Sequence, residues 1–98
     1  MTADDDRLKR LSGRLTVSEV PGVYREHLDW REHGPPEAID LSGLEASDSS
    51  AVALLLEWKA WARRAGRDIR YENPPEALRT IAGLSHVDAL LGWKQDDS

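Results

Sequence analysis

The chain has no cysteine among its 98 residues. That excludes a disulfide framework, a thiolate nucleophile and a cysteine-based zinc site. It also lacks a long apolar run. The longest, Ala51 to Leu56, falls far short of the ~20 residues a membrane-spanning helix needs. No basic stripe is interleaved with aromatics, so nucleic acid is not an expected partner. No glycine-rich loop is present to cradle phosphates, and the flanks of Ser49 do not form the Gly-x-Ser-x-Gly elbow of a hydrolase. His27, His33 and His86 fall in separate segments without i, i+4 spacing, so no metal or cofactor is expected. The N-terminus lacks the basic-then-apolar pattern of a secretory signal. The expectation is a cytoplasmic protein without direct membrane insertion, held at the inner face of a membrane only through a partner.

What is present suits one small domain. The formal net charge is −5, and much of it lies in Asp4-Asp5-Asp6 and Asp96-Asp97. Short acidic runs of this kind are usually solvated chain ends. The expected division is therefore a flexible acidic N-terminus over 1–7, one domain over 8–93 and a flexible tail over 94–98.

The stretch from Ile39 to Gly66 organises the chain. Ile39, Leu41 and Leu44 mark a short buried strand, and Asp48-Ser49-Ser50 forms a polar turn of the residue types that satisfy free N–H groups at a helix start. From Ala51 to Ala65, Val52, Leu54, Leu55, Leu56, Trp58, Trp61 and Ala65 recur at helical spacing. Arg63-Arg64 and Gly66 suit a helix C-terminus, as cations near the negative dipole end and as a left-handed cap.

On either side the pattern is weaker. Leu8, Leu11, Leu15 and Val17 predict a short edge strand, interrupted at Ser12-Gly13. Ser18 is a candidate N-cap for a helix with Pro21 in its first turn. Val20, Val23, Tyr24, Leu28 and Trp30 form its apolar stripe, which His33-Gly34-Pro35-Pro36 ends near Glu32. Asp68 to Glu72 alternates as a half-buried strand with Ile69 and Tyr71 inward. Asn73 is a candidate cap, with Pro74 at the first helical position and Glu76 reaching back, for a helix carrying Leu78, Ile81 and Ala82. Val87, Leu90, Leu91 and Trp93 suit a last short helix or strand. Strands alternating with helices imply an α/β sheet covered by helices.

The Ile-Asp-Leu-Ser strand, the Asp48-Ser49-Ser50 turn and the Leu54-Leu55-Leu56 helix together resemble the STAS domain. The Ala-Gly helix end, the Ile69 to Glu72 strand and the Pro-x-x-Leu helix near Gly83-Leu84 extend the likeness from about Leu8 to Trp93. The resemblance implies a single small STAS domain: a mixed β-sheet with helices packed on one face, non-catalytic and working by docking. Two branches of the family are similar. In bacterial anti-sigma factor antagonists, the second serine of Asp-Ser-Ser-Gly-Leu is phosphorylated by a partner serine kinase, which corresponds to Ser50. In MlaB, a subunit of a phospholipid ABC transporter that maintains outer-membrane lipid asymmetry, a hydroxyl residue directly follows the aspartate, which corresponds to Ser49. An Ala-Leu-Leu-Leu run follows there, as Ala53-Leu54-Leu55-Leu56 does here. This branch implies the ATPase subunit of the transporter as the partner.

The resemblance makes Asp48, Ser49, Ser50 and Ala51 the candidate partner-binding residues and Ser50 a possible phosphoacceptor. Two features depart from the family. The usual Gly-Leu after the turn is Ala51-Val52, where a larger residue can hinder a partner's backbone. The stretch before Ser18 is also short for the family's first hairpin.

Physically, Asp48 can cap the helix for about 1 kcal/mol. A phosphate on the first turn would be favoured by the free amides and the helix dipole, yet would expel a partner fitted to a neutral hydroxyl. Arg63, Arg64 and Arg67 offer a basic spot at the far end of the same helix.

Overall fold

A computed structural model describes residues 8–93, so the expected flexible ends, 1–7 and 94–98, lie outside the described residues. The elements run β1 (Leu8–Leu15), α1 (Val20–Glu26), α2 (Trp30–His33), β2 (Ala38–Ser47), α3 (Ser49–Arg64), β3 (Arg70–Glu72) and α4 (Glu76–Leu84). The three strands form one sheet in the order β1-β2-β3. Both pairs are parallel, where the family likeness had implied a mixed sheet. The reason is the connectivity. Each link between described strands is a helical crossover, which returns the chain to the same end of the sheet. Both crossovers advance in the same direction across the sheet, so right-handed connections place their helices on one face. There α1, α2 and α4 all pack against α3.

β2 is the central strand and is longer than expected. Ile39 and Leu41 have no exposed surface, while Asp40 and Ser42 point to the other, open face. β1 is irregular at Ser12-Gly13, where the sequence suggested an interruption. The strand continues through register shifts between Arg10 and Ser12 and between Gly13 and Arg14. Gly13 takes φ +83°, a conformation that suits glycine and absorbs the irregularity. Gly43 sits opposite Ser12, where a Cβ would lie 2.9 Å from that of the serine. Leu11 and Leu15 share the core face by alternation, and the extra residue that β2 carries at the first shift turns Leu44, three positions after Leu41, to the same face. Leu8 and Val17, also read as apolar strand positions, are exposed.

The phase of α3 decides the core. Ala51, Val52, Leu54, Leu55, Trp58, Trp61 and Ala62 are buried. Leu56 is only half-buried and Ala65 is exposed, although both were counted in the inward stripe. Both tryptophans belong to the core. Trp61 donates through Nε1 to Glu57 at 3.1 Å, while Trp58 packs edge-on against Trp30 at 4.9 Å. The helix ends at Ala65 with Gly66 at φ +77°. The Arg67 and Gly66 amides donate back to the Ala62 and Arg63 carbonyls at 2.9 and 3.0 Å. These two bonds make the glycine-ended cap that the sequence suggested.

Three local expectations are corrected. The helix expected from Ser18 to Glu32 is two helices, because His27 leaves helical geometry at φ −120° and a turn carries the chain to Trp30. The break lets Trp30 lie on both His27, at 4.1 Å, and Trp58. Glu19, not Ser18, occupies the N-cap position. Its carboxylate accepts from the amide and hydroxyl of Thr16, at 2.9 and 2.6 Å. Asn73 does not cap α4. It adopts φ +55° and donates to Asp40 across the open face at 3.2 Å, leaving Pro75 at the cap. The cause is the proline pair: a residue preceding proline is pushed out of helical geometry, so Pro74 cannot begin the helix.

The segment after α4 forms hydrogen-bonded turns rather than a helix or strand. It buries Leu91 and Trp93, and the Trp93 indole donates to the Tyr71 carbonyl of β3 at 3.0 Å.

Candidate functional site

The chain leaves β2 at Asp48 in an extended conformation, φ −141° and ψ −166°, and turns at once into α3. The Asp48 carboxylate makes two bonds. One oxygen accepts from the Ser50 amide at 2.9 Å, as an N-cap should. The other accepts from the Val17 amide at 3.0 Å, in the loop between β1 and α1. The Val17 amide, aided by that of Ser50, holds the carboxyl below the usual aspartate range against a partial burial that would raise it. Asp48 is therefore a cross-link as well as a cap.

Ser49 is the first residue of α3 and is exposed. Ser50 is half-buried and lines an open groove of about 510 Å³ with Val20 and Tyr24 of α1 and Ala53, Leu54 and Glu57 of α3. Tyr24 is held in place against Trp61, with ring centroids 5.5 Å apart. Ala51 is 0% exposed. Its methyl group belongs to the core and is not part of the surface, because the 100° step of the helix carries it one position past Ser50 to the sheet side. Of the four candidate residues, then, Asp48, Ser49 and Ser50 meet the surface and Ala51 supports it from beneath.

The sequence signalled one wall of this groove and missed the other. Val20 and Tyr24 were read as core positions of α1, and nothing local marks them as neighbours of Ser50. Arg67 joins none of these residues; it donates to the His33 carbonyl at 2.9 Å. His27, His33 and His86 lie on separate segments. Among the described residues no group of three or more His, Cys, Asp or Glu side chains is placed to hold a metal ion. No helix among them is long and apolar enough to cross a membrane.

The arrangement offers a helix N-terminus with two adjacent hydroxyls, one exposed and one set at the mouth of an apolar groove. It offers hydrogen bonding and shape to a protein surface. No curated protein matches the chain. The family model described as "Mlab, STAS domain" matches residues 2–92, which is nearly the whole sequence, and the chain therefore belongs to that STAS domain family.

Proposed function

We propose that this chain is a non-catalytic docking subunit, MlaB-like, that binds and stabilises the ATPase subunit of a phospholipid-transport ABC complex. Ser49 and the start of α3 make the contact in this reading, and the groove between α1 and α3 receives an apolar side chain of the partner. The observation that carries it is the placement of Ser49 and Ser50. Ser50 lines a groove whose far wall is Val20 and Tyr24, and Ser49 is exposed next to it, beside a cap already satisfied by Asp48. The family match supports the same reading.

The test is affinity purification of the tagged protein from its native cells, with co-purifying proteins identified by mass spectrometry. Recovery of an ABC ATPase with its membrane permease is expected. Replacing Ser49 with a bulky or charged residue is expected to abolish that recovery while the domain stays folded. Unchanged recovery would remove Ser49 from the contact.

One observation favours a second reading, an anti-sigma factor antagonist whose Ser50 is phosphorylated by a serine kinase. The alanine that replaces the family's glycine buries its methyl group in the core, so Ala51 presents no steric obstacle to a partner or kinase. Phosphate found on Ser50, with such a kinase among the co-purifying proteins, would put this reading first.

A further inference from the structure

A second groove lies on the flank of α3 away from the α1 side. It encloses about 310 Å³ and is lined by Leu56, Lys59, Ala60, Arg63 and Leu90. Leu56, Ala60 and Arg63 follow one another at helical spacing along the outer side of α3. Across from them, Leu90 in the turns after α4 is 52% exposed. A leucine held half in water beside a second half-buried leucine is surface that a partner can cover.

The charge at the rim says what kind of partner. Lys59 is already engaged: its ammonium donates to the Asp68 carboxylate and the Ile69 carbonyl, each at 2.9 Å. Arg63 is exposed and takes part in no ion pair among the described residues. Arg64 follows it, also exposed, at the negative end of the helix dipole. Among the described residues the groove's lining holds two cations and no carboxylate, and of the two only Lys59 is paired, with Asp68. The unpaired Arg63 beside the groove favours an acidic partner over a basic one.

We infer that the groove of Leu56, Ala60 and Leu90 is a second docking surface, for an acidic amphipathic helix of a partner protein. The helix's apolar face covers Leu56 and Leu90, and its carboxylates pair with Arg63. The small side chain of Ala60 lets the partner helix approach closely. This surface is separate from the Ser49–Ser50 groove, and its test does not depend on the ATPase reading.

The probe is a pair of synthetic amphipathic peptides with leucine at every third or fourth position, one with glutamate and one with lysine on the polar face. Two-dimensional amide NMR of the full chain reads both the site and the affinity. The glutamate peptide is expected to shift the amides of Leu56, Ala60 and Leu90, and to bind about fivefold more tightly than the lysine peptide. Arg63→Glu, an exposed change that keeps the amide spectrum of the fold, is expected to invert that preference. Equal binding of the two peptides would overturn the proposal, as would shifts confined to Val20 and Tyr24. If deleting residues 94–98 produces the same amide shifts without peptide, the chain's own acidic end is the occupant and the partner proposal fails.

Discussion

The Asp48 carboxylate accepts a hydrogen bond from the amide of Val17, 31 residues earlier in the chain, at 3.0 Å. The same side chain accepts from Ser50. One carboxylate thus joins the loop that leads into α1 to the first turn of α3, and these two elements are the walls of the Ser50 groove. A charged acceptor shared by two backbone amides is a strong local restraint. Stability and groove geometry should therefore depend together on this residue.

Asp48→Ala removes both bonds. The expected cost is about 1–2 kcal/mol, at the upper part of the range for a helix cap, because the Val17 amide also loses its partner. Asp48→Asn keeps a neutral acceptor and should cost less. Urea denaturation followed by tryptophan fluorescence measures both, and equal stability of Asp48→Ala and the parent would show that the cross-link contributes nothing.

Acid should weaken the fold, and the sign follows from the carboxylates. Asp48 is lowered mainly by the Val17 amide, Asp40 by the Ser42 amide, Asp68 by Lys59 and Glu19 by Thr16. A depressed folded-state pKa contributes stability that is present above the unfolded value, about 4, and is lost as pH falls through the folded value. Denaturation midpoints should hold steady from neutrality to about pH 5 and fall below about pH 4. Each of these groups is well solvated, so the fall should be gradual. A midpoint that rises on acidification would contradict the assignments.

At the alkaline end, Tyr71 is the group to watch. Its phenol is buried and donates to the Leu55 carbonyl at 2.7 Å. Burial, with a smaller contribution from the Asp68 charge, pushes its pKa well above the ordinary value. The raised folded value means that its contribution is complete below the unfolded pKa of about 10 and is lost as pH climbs beyond it. Tyr71→Phe should cost about 0.5–1.5 kcal/mol at neutral pH and make the fold less sensitive above pH ~10. Parallel alkaline unfolding curves for parent and variant would refute this.

Leu55 and Leu56 are neighbours with different surroundings. Leu55 has no exposed surface, while Leu56 is half-buried at the second groove. Leu55→Ala is expected to cost about 2–5 kcal/mol. Leu56→Ala should cost clearly less, since much of its surface is in water already. Chemical denaturation of the two variants compares them directly, and a reversed order would mean that α3 is rotated from its described phase.

The residues alone settle the parts of this protein that short-range physics controls. The aspartate start of α3, its Arg-Arg-Ala-Gly end and its apolar period, apart from Leu56 and Ala65, each act within a turn or two of the helix and appear where the sequence puts them. The inward direction of Ile39, Leu41, Ile69 and Tyr71 is likewise a matter of strand alternation. Proposing Asp48, Ser49 and Ser50 as the candidate site needed only that local frame and the likeness of the turn to a known family; the family match bears out membership of that family.

Tertiary structure decided what depends on residues distant in sequence. The second partner of Asp48 is Val17, and the far wall of the Ser50 groove is α1. No periodicity within either segment specifies that they meet. His27 interrupts α1 where Trp30 can reach Trp58, so burying an aromatic cluster prevails over a few helical hydrogen bonds. Asn73 abandons its capping role for Asp40 because the proline pair forbids the helix from starting beside it. Local pattern determines which way each element faces. Which elements face one another is set by packing the whole core, and the groove at Ser50 is a product of that packing.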